Sequence, residues 1–191
     1  QTIMKKNTIL ALTLVFSLVA VGLSIFLYYS IKGPIEEQKE IAELEGRIIE
    51  KLKLIREVQK IHIAVKGYYA FNFDELDTFI EKGKVPIVAI RDSAISADES
   101  VIIFDTLAII PVKDTLIKLN KANIDLAKLR KVPGKDESFL MQVSPKRSIS
   151  GDTIYAIEVT VVAPIRNPKR KENPLRFGSL ADVSIRGNWE F

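Results

Sequence analysis

Few side chains in this sequence can hold a proton, a metal or a nucleophile in a useful place. The one histidine, His62, falls on an apolar helical stripe. A lone imidazole in that setting reads as a core or interface residue. There is no cysteine, which excludes disulfides, thiolate nucleophiles and cysteine-built zinc sites. No His–Glu cluster has metal-ligand spacing, and no Gly-rich phosphate loop or G-x-S-x-G elbow is present. Asp74, Glu75 and Asp77 are carboxylates of the kind used as general acids and bases. They open a helical segment, however, where negative charge complements the positive helix end without any catalysis. No catalytic, cofactor-binding or metal residue is therefore assigned. The expectation is a protein that is not an enzyme and takes no cofactor and no small-molecule substrate.

Binding is better represented than reaction. Tyr68, Tyr69 and Phe71 lie in "KGYYAFNF", the densest aromatic stretch, and Trp189 stands near the end of the chain. Core packing is the ordinary use of such residues. Aromatics are also favoured interface anchors, which makes these four a candidate partner surface. Arg166, Lys169, Arg170 and Lys171 form the one basic cluster. It reads first as a solvated loop and second as a contact for anionic headgroups or an acidic partner. The net charge is +4, from 28 basic and 24 acidic residues that are largely interspersed. A nucleic-acid surface needs a concentrated basic stripe instead.

These residues are positioned by an unusual front end. Residues 9–31, "ILALTLVFSLVAVGLSIFLYYSI", carry no charge, and 14 of them are Leu, Ile, Val or Phe. As a helix the run extends about 35 Å, enough for a hydrocarbon core of about 30 Å. It is too long for a signal-peptide apolar region and lacks a small-residue cleavage pattern. Lys5 and Lys6 precede it, while Glu36, Glu37 and Glu40 follow a single Lys32. The positive-inside rule then places the N-terminus in the cytoplasm and the bulk of the chain outside. Met4 reads as the start, with Gln1–Ile3 upstream of it. No ionisable residue lies inside the run, whereas ion-driven motors need one at membrane depth.

Gly33-Pro34 is expected to interrupt the helix, since proline suits a helix start and not its interior. Residues 34–66 then repeat apolar side chains at steps of three and four: Ile41, Leu44, Ile48, Leu52, Ile55 and Val58. This amphipathic stalk would be about 50 Å long. Its best seam for another helix, including that of a second copy, is Ile41, Leu44, Ile48, Leu52 and Ile55. Lys51 spoils the heptad, so a coiled coil is allowed but not required. Beyond Gly67, a short helix over "NFDELDTFIEKGK" is marked by capping-box spacing at Asn72 and Glu75 and a stop at Gly83. Its buried face would be Phe73, Leu76, Phe79 and Ile80. "VPIVAI" reads as a strand, residues 91–100 as a polar loop, and 101–110 as strand or short helix. "SFLMQVS" and "DTIYAIEVTVVAP" read as an antiparallel hairpin. The last 15 residues either close the sheet or dock through Trp189.

The organisation expected is thus a short tail at 1–8, a transmembrane helix at 9–31, a stalk at 34–66 and an outer domain at 67–191. The fold class is α+β, a short helix on a small antiparallel sheet. "VQKIHIAVKGYYAFNFDELDTFIEKGKVPIV", "DLAKLRKVPGKDESFLMQV" and "RGNWE" together resemble a group of single-pass envelope proteins of Bacteroidota. The resemblance supplies no catalytic residues; it implies the inner membrane, facing the periplasm. The architecture is also similar to bitopic scaffold subunits of secretion and pilus machines, an analogy of plan and not of motif. Type IV pilins share the plan, but their glycine cleavage point and their glutamate in the apolar run are missing. The function expected is a non-enzymatic scaffold or accessory subunit of a cell-envelope complex, partnered by other membrane or periplasmic subunits. The alternatives are a tethered periplasmic enzyme or ligand-binding module, and a small accessory subunit of a membrane enzyme.

Overall fold

A computed structural model describes residues 2–96, 99–120, 124–148, 151–162 and 165–190, with backbone alone for 2–7, 88–96 and 99–106. The chain parts into two units, Gln1–Glu43 and Leu44–Phe191.

The first unit is helical. Helix α1 is assigned to Thr2–Lys66, and its apolar run is long and apolar enough to cross a membrane, with none of that stretch buried in the protein. Every large apolar side chain from Leu10 to Phe26 is exposed. The few hydroxyls turn back on the backbone: Thr13 donates to the Ile9 and Leu10 carbonyls at 3.0 and 2.9 Å, Ser17 to Leu14 at 2.9 Å, and Ser24 to Ala20 at 2.8 Å. These polar groups are satisfied without water, as hydrocarbon requires. The expected break at Gly33-Pro34 does not occur, because α1 runs through Pro34. Proline removes one backbone N–H from the ladder. The turns on both sides keep theirs, and a Lys32–Glu36 ion pair at 3.7 Å spans the position. The flank at Lys5 and Lys6 lies outside the described side chains.

The second unit opens with the rest of α1. Ile48, Leu52, Ile55 and Val58 are wholly buried there, in one core with Phe73, Leu76, Phe79, Val112, Leu116, Ile157, Val159 and Phe177. The stalk stripe is thus covered by the chain's own domain. The seam offered to a foreign helix loses Ile48, Leu52 and Ile55; Leu44 packs partly against the same core, and Ile41 is half-buried. A stripe repeating every three to four residues requires burial, but it does not say against what. On the exposed face of this part of α1, Lys53 pairs with Glu50 at 2.8 Å and Lys60 with Glu57 at 2.7 Å.

Gly67 closes α1 in a left-handed conformation (φ +83°), its N–H donating to the Ile63 carbonyl at 2.8 Å. Helix α2, Phe73–Lys82, follows with the expected cap: Asn72 Oδ1 accepts from the Glu75 N–H at 2.8 Å. The reciprocal bond is shifted by one residue, Phe71 N–H donating to Glu75 Oε2 at 2.9 Å. Phe73, Leu76, Phe79 and Ile80 are its buried residues.

Strands β1 (Lys84–Ser96) and β2 (Glu99–Pro111) pair antiparallel from Lys84↔Pro111 outward, with an irregularity at Ile87/Val88. The polar loop expected over 91–100 is strand up to Ser96 and again from Glu99, and 101–110 resolves as strand. A two-stranded ribbon needs only backbone pairing, so polar residues do not end it. Helix α3 (Val112–Leu119) ties the ribbon base to α2, the Val112 N–H donating to the Gly83 carbonyl at 3.0 Å. A 3-10 turn at Leu126–Lys128 leads on to β3 (Leu140–Arg147), β4 (Thr153–Thr160) and β5 (Arg176–Gly178). These three form an antiparallel sheet in the order β3-β4-β5. The expected hairpin is β3–β4. The tail closes the sheet as β5, a bridge joins Phe177 to Gly187, and Trp189 packs against the core. The α+β class is as expected, with the second part of the stalk belonging to the globular unit.

Candidate functional site

From Glu45 to His62, polar residues of α1 clip successive loops of the domain onto the helix. Glu45 Oε1 accepts from Asn167 Nδ2 at 2.8 Å and from Arg170 Nε at 3.3 Å, fixing the basic loop. Lys51, only 7% exposed, donates its Nζ to the carbonyls of Lys128 and Lys131 after the 3-10 turn. Burial lowers the Lys51 pKa, partly opposed by Asp125. Arg56 Nη1 reaches Glu190 Oε1 at 2.7 Å and holds the tail. Gln59 brackets the Ala70 peptide, donating to its carbonyl at 3.1 Å and accepting from its N–H at 2.9 Å. The His62 Nδ1 lies 2.7 Å from the Tyr68 carbonyl.

The last two clips build the elbow that carries the candidate aromatic surface. Gln59 draws Ala70 inward and takes Tyr69 with it, which is buried at 8% exposure; that burial raises the Tyr69 hydroxyl pKa. Tyr68 and Phe71 are left on the outer side with ring centroids 5.7 Å apart. Tyr155, from β4, joins them at 6.2 Å from each. Phe71 is 46% exposed. The aromatic surface is therefore the exposed Phe71 with the partly buried Tyr68 and Tyr155; Tyr69 is in the core, and Trp189, itself partly buried, packs against it away from this ring cluster. Tyr155 shares a face of β4 with the buried Ile157 and Val159, but it stands near the strand's beginning and is only partly buried. Trp189 Nε1 and Arg56 Nε are buried without a hydrogen-bond partner among the described residues.

The basic cluster divides in the same way. Arg170 is held against Glu45, its side chain 19% exposed, whereas Arg166, Lys169 and Lys171 are exposed. His62 is 1% exposed, with Phe79 edge-to-face at a centroid distance of 4.6 Å and Tyr68 at 5.3 Å. Its Nε2 faces Glu75 Oε1 at 3.7 Å. Among the acidic residues, Asp74 pairs with Arg130 at 3.1 Å. Asp77 has its pKa raised by burial, an effect that Arg130 opposes. No group of three or more His, Asp or Glu residues with metal-binding geometry occurs among the described residues.

Gln59 and Lys51 were the functional positions hardest to read in advance, because a polar residue on an apolar stripe looks like a flaw until its backbone partner is known. Compared with known proteins, the chain matches no family model, no curated protein and no solved structure.

Proposed function

We propose that the chain is a non-enzymatic, single-pass subunit of a larger cell-envelope complex, anchored in the inner membrane with its N-terminus in the cytoplasm and its α+β domain in the periplasm. The observation that carries the reading is an apolar run exposed on every side in a chain whose other unit is an α+β domain with its own buried core. The resemblance to envelope proteins of Bacteroidota and the plan shared with secretion and pilus scaffolds support the same reading. Recognition of the partner is assigned to Tyr68, Phe71 and Tyr155, because half-exposed aromatic clusters are typical interface anchors.

Purification from the native membrane in mild detergent should bring partner subunits with the wild-type chain. The double variant Tyr68→Asp with Phe71→Asp should lose them while keeping its Trp189 fluorescence and its membrane association. Retention of the same partners by a folded, membrane-bound double variant would remove the aromatic surface from the scheme. A wild-type chain that comes away alone would count against complex membership.

A further inference from the structure

We infer that the cleft between the end of α1 and the outer face of α2 is a binding site for a small organic acid carrying a hydroxyl group. The cleft has a volume of about 500 Å³ and is lined by His62, Lys66, Tyr68, Asp74, Glu75, Thr78, Phe79, Lys82 and Gly83. Small-molecule pockets commonly fall at about 300–1,000 Å³. His62 and Lys66 are one helical turn apart on α1, as are Asp74, Thr78 and Lys82 in succession on α2. Each helix therefore turns one row of side chains to the cleft.

Charge selects the ligand class. Of the two acids of the lining, Asp74 is ion-paired with Arg130 at 3.1 Å, while Glu75 accepts the Phe71 N–H at 2.9 Å and keeps its charge. The Thr78 hydroxyl donates to the Asp74 carbonyl at 2.8 Å. Lys66 and Lys82 are exposed, and neither has an ion-pair partner among the described residues. Against the one carboxylate charge left on Glu75, two ammonium groups give the cleft a net positive charge, which favours an anion. The His62, Phe79 and Tyr68 rings beside them offer an apolar wall, which suits the body of an organic acid and gives little to a bare phosphate.

The imidazole adds a third requirement. A carbonyl oxygen only accepts, so the 2.7 Å contact with Tyr68 places a proton on His62 Nδ1. In the neutral ring Nε2 is then an acceptor. Its nearest acid, Glu75, is 3.7 Å away, beyond hydrogen-bond length. A ligand hydroxyl supplies the missing donor. The expected pose has the carboxylate at Lys66 and Lys82, the apolar body on Phe79 and Tyr68, and the hydroxyl at His62 Nε2.

The sequence contains one histidine, so selective histidine labelling of the full chain in detergent micelles gives a single imidazole NMR signal. Titration with 3-phenyllactate should shift that signal saturably, and 2-phenylethanol, which lacks the carboxylate, should leave it unmoved. The double variant Lys66→Gln with Lys82→Gln should weaken the response about tenfold or more, as expected for loss of charge-assisted contacts. Its Trp189 fluorescence should stay that of the wild type. Failure of 3-phenyllactate to give a saturable shift would overturn the assignment. So would an equal response to 2-phenylethanol or inorganic phosphate, or undiminished affinity in the folded double variant. The inference does not depend on membership of a complex, and neither test decides the other.

Discussion

Lys51 stands on the apolar stripe where a coiled-coil seam would carry a branched hydrocarbon. Its ammonium is used instead to satisfy two carbonyls, those of Lys128 and Lys131, in a nearly dry environment. Lys51→Met keeps the stem's packing and deletes the donor. It should destabilise the domain by about 1–3 kcal/mol, the usual cost of stripping a partner from buried acceptors. Urea unfolding followed through Trp189 measures this, and unchanged stability would show that the carbonyls find other donors. Glu190 makes a second prediction at this scale. Burial pushes its pKa up, but the Arg56 and Gly187 hydrogen bonds and the nearby Arg56 and Lys53 charges outweigh that and lower it below the ordinary 4.5. A carboxyl depressed in the folded state adds stability above its unfolded pKa and loses it as pH falls through the folded value. Wild type should therefore exceed Glu190→Gln in stability near neutrality, by about 0.5 kcal/mol or less given the solvent screening of a side chain 36% exposed. That gap should close as pH falls from above 4.5. A gap of constant size down to pH ~2 would mean that the charge on Glu190 is not what holds the tail.

Elements differ in how much of their cause is local. Helix α2 was legible down to its four buried residues, because the cap at Asn72, the acidic first turn and the stop at Gly83 all lie within the segment itself. The β1–β2 ribbon was legible only in its apolar first part. Its outer pairs, such as Asp92↔Ile102 and Ser93↔Val101, depend on register with a distant strand and not on composition. The stalk was read correctly as amphipathic, while the partner of its stripe was not, since that partner is spread over residues from Phe73 to Phe177. Ile48→Asp should consequently unfold the domain instead of merely releasing a neighbour. The cost expected is about 3–5 kcal/mol, and the check is loss of the cooperative Trp189 transition. Strand β5 offers a sharper test of the sheet. Gly178 has φ +78°, and a Cβ built there would sit 2.0 Å from the Ile157 carbonyl oxygen, a backbone atom of β4. Gly178→Ala should cost more than about 2 kcal/mol by strain and by loss of the β4–β5 pairing. Near-normal stability would show that the short strand can shift at little cost.

At the scale of the whole molecule, a helix apolar enough to cross a membrane and a domain with its own buried core share one chain. The apolar run was legible because transfer into hydrocarbon is nearly a sum over residues, and side chains such as Leu18 and Phe26 at about 70% exposure remain uncovered by protein. The outer surface was less legible, because exposure of Phe71 against burial of Tyr69 depends on how Gln59 and His62 hold the elbow. The sequence lacks cysteine, so a single introduced thiol reports the placement of its own segment and nothing else. Asn7→Cys precedes the apolar run; Asp182→Cys lies exposed in the outer domain. In spheroplasts of the expressing bacterium, a membrane-impermeant maleimide should label Asp182→Cys directly and Asn7→Cys only after the membrane is permeabilised. An alkaline carbonate wash should leave both variants in the pellet, since a run of this length is held by hydrocarbon and not by charge. Labelling in the reverse order would invert the orientation that Lys5 and Lys6 argue for. Recovery of a soluble, shortened chain would mean that the apolar run is an export signal and not an anchor.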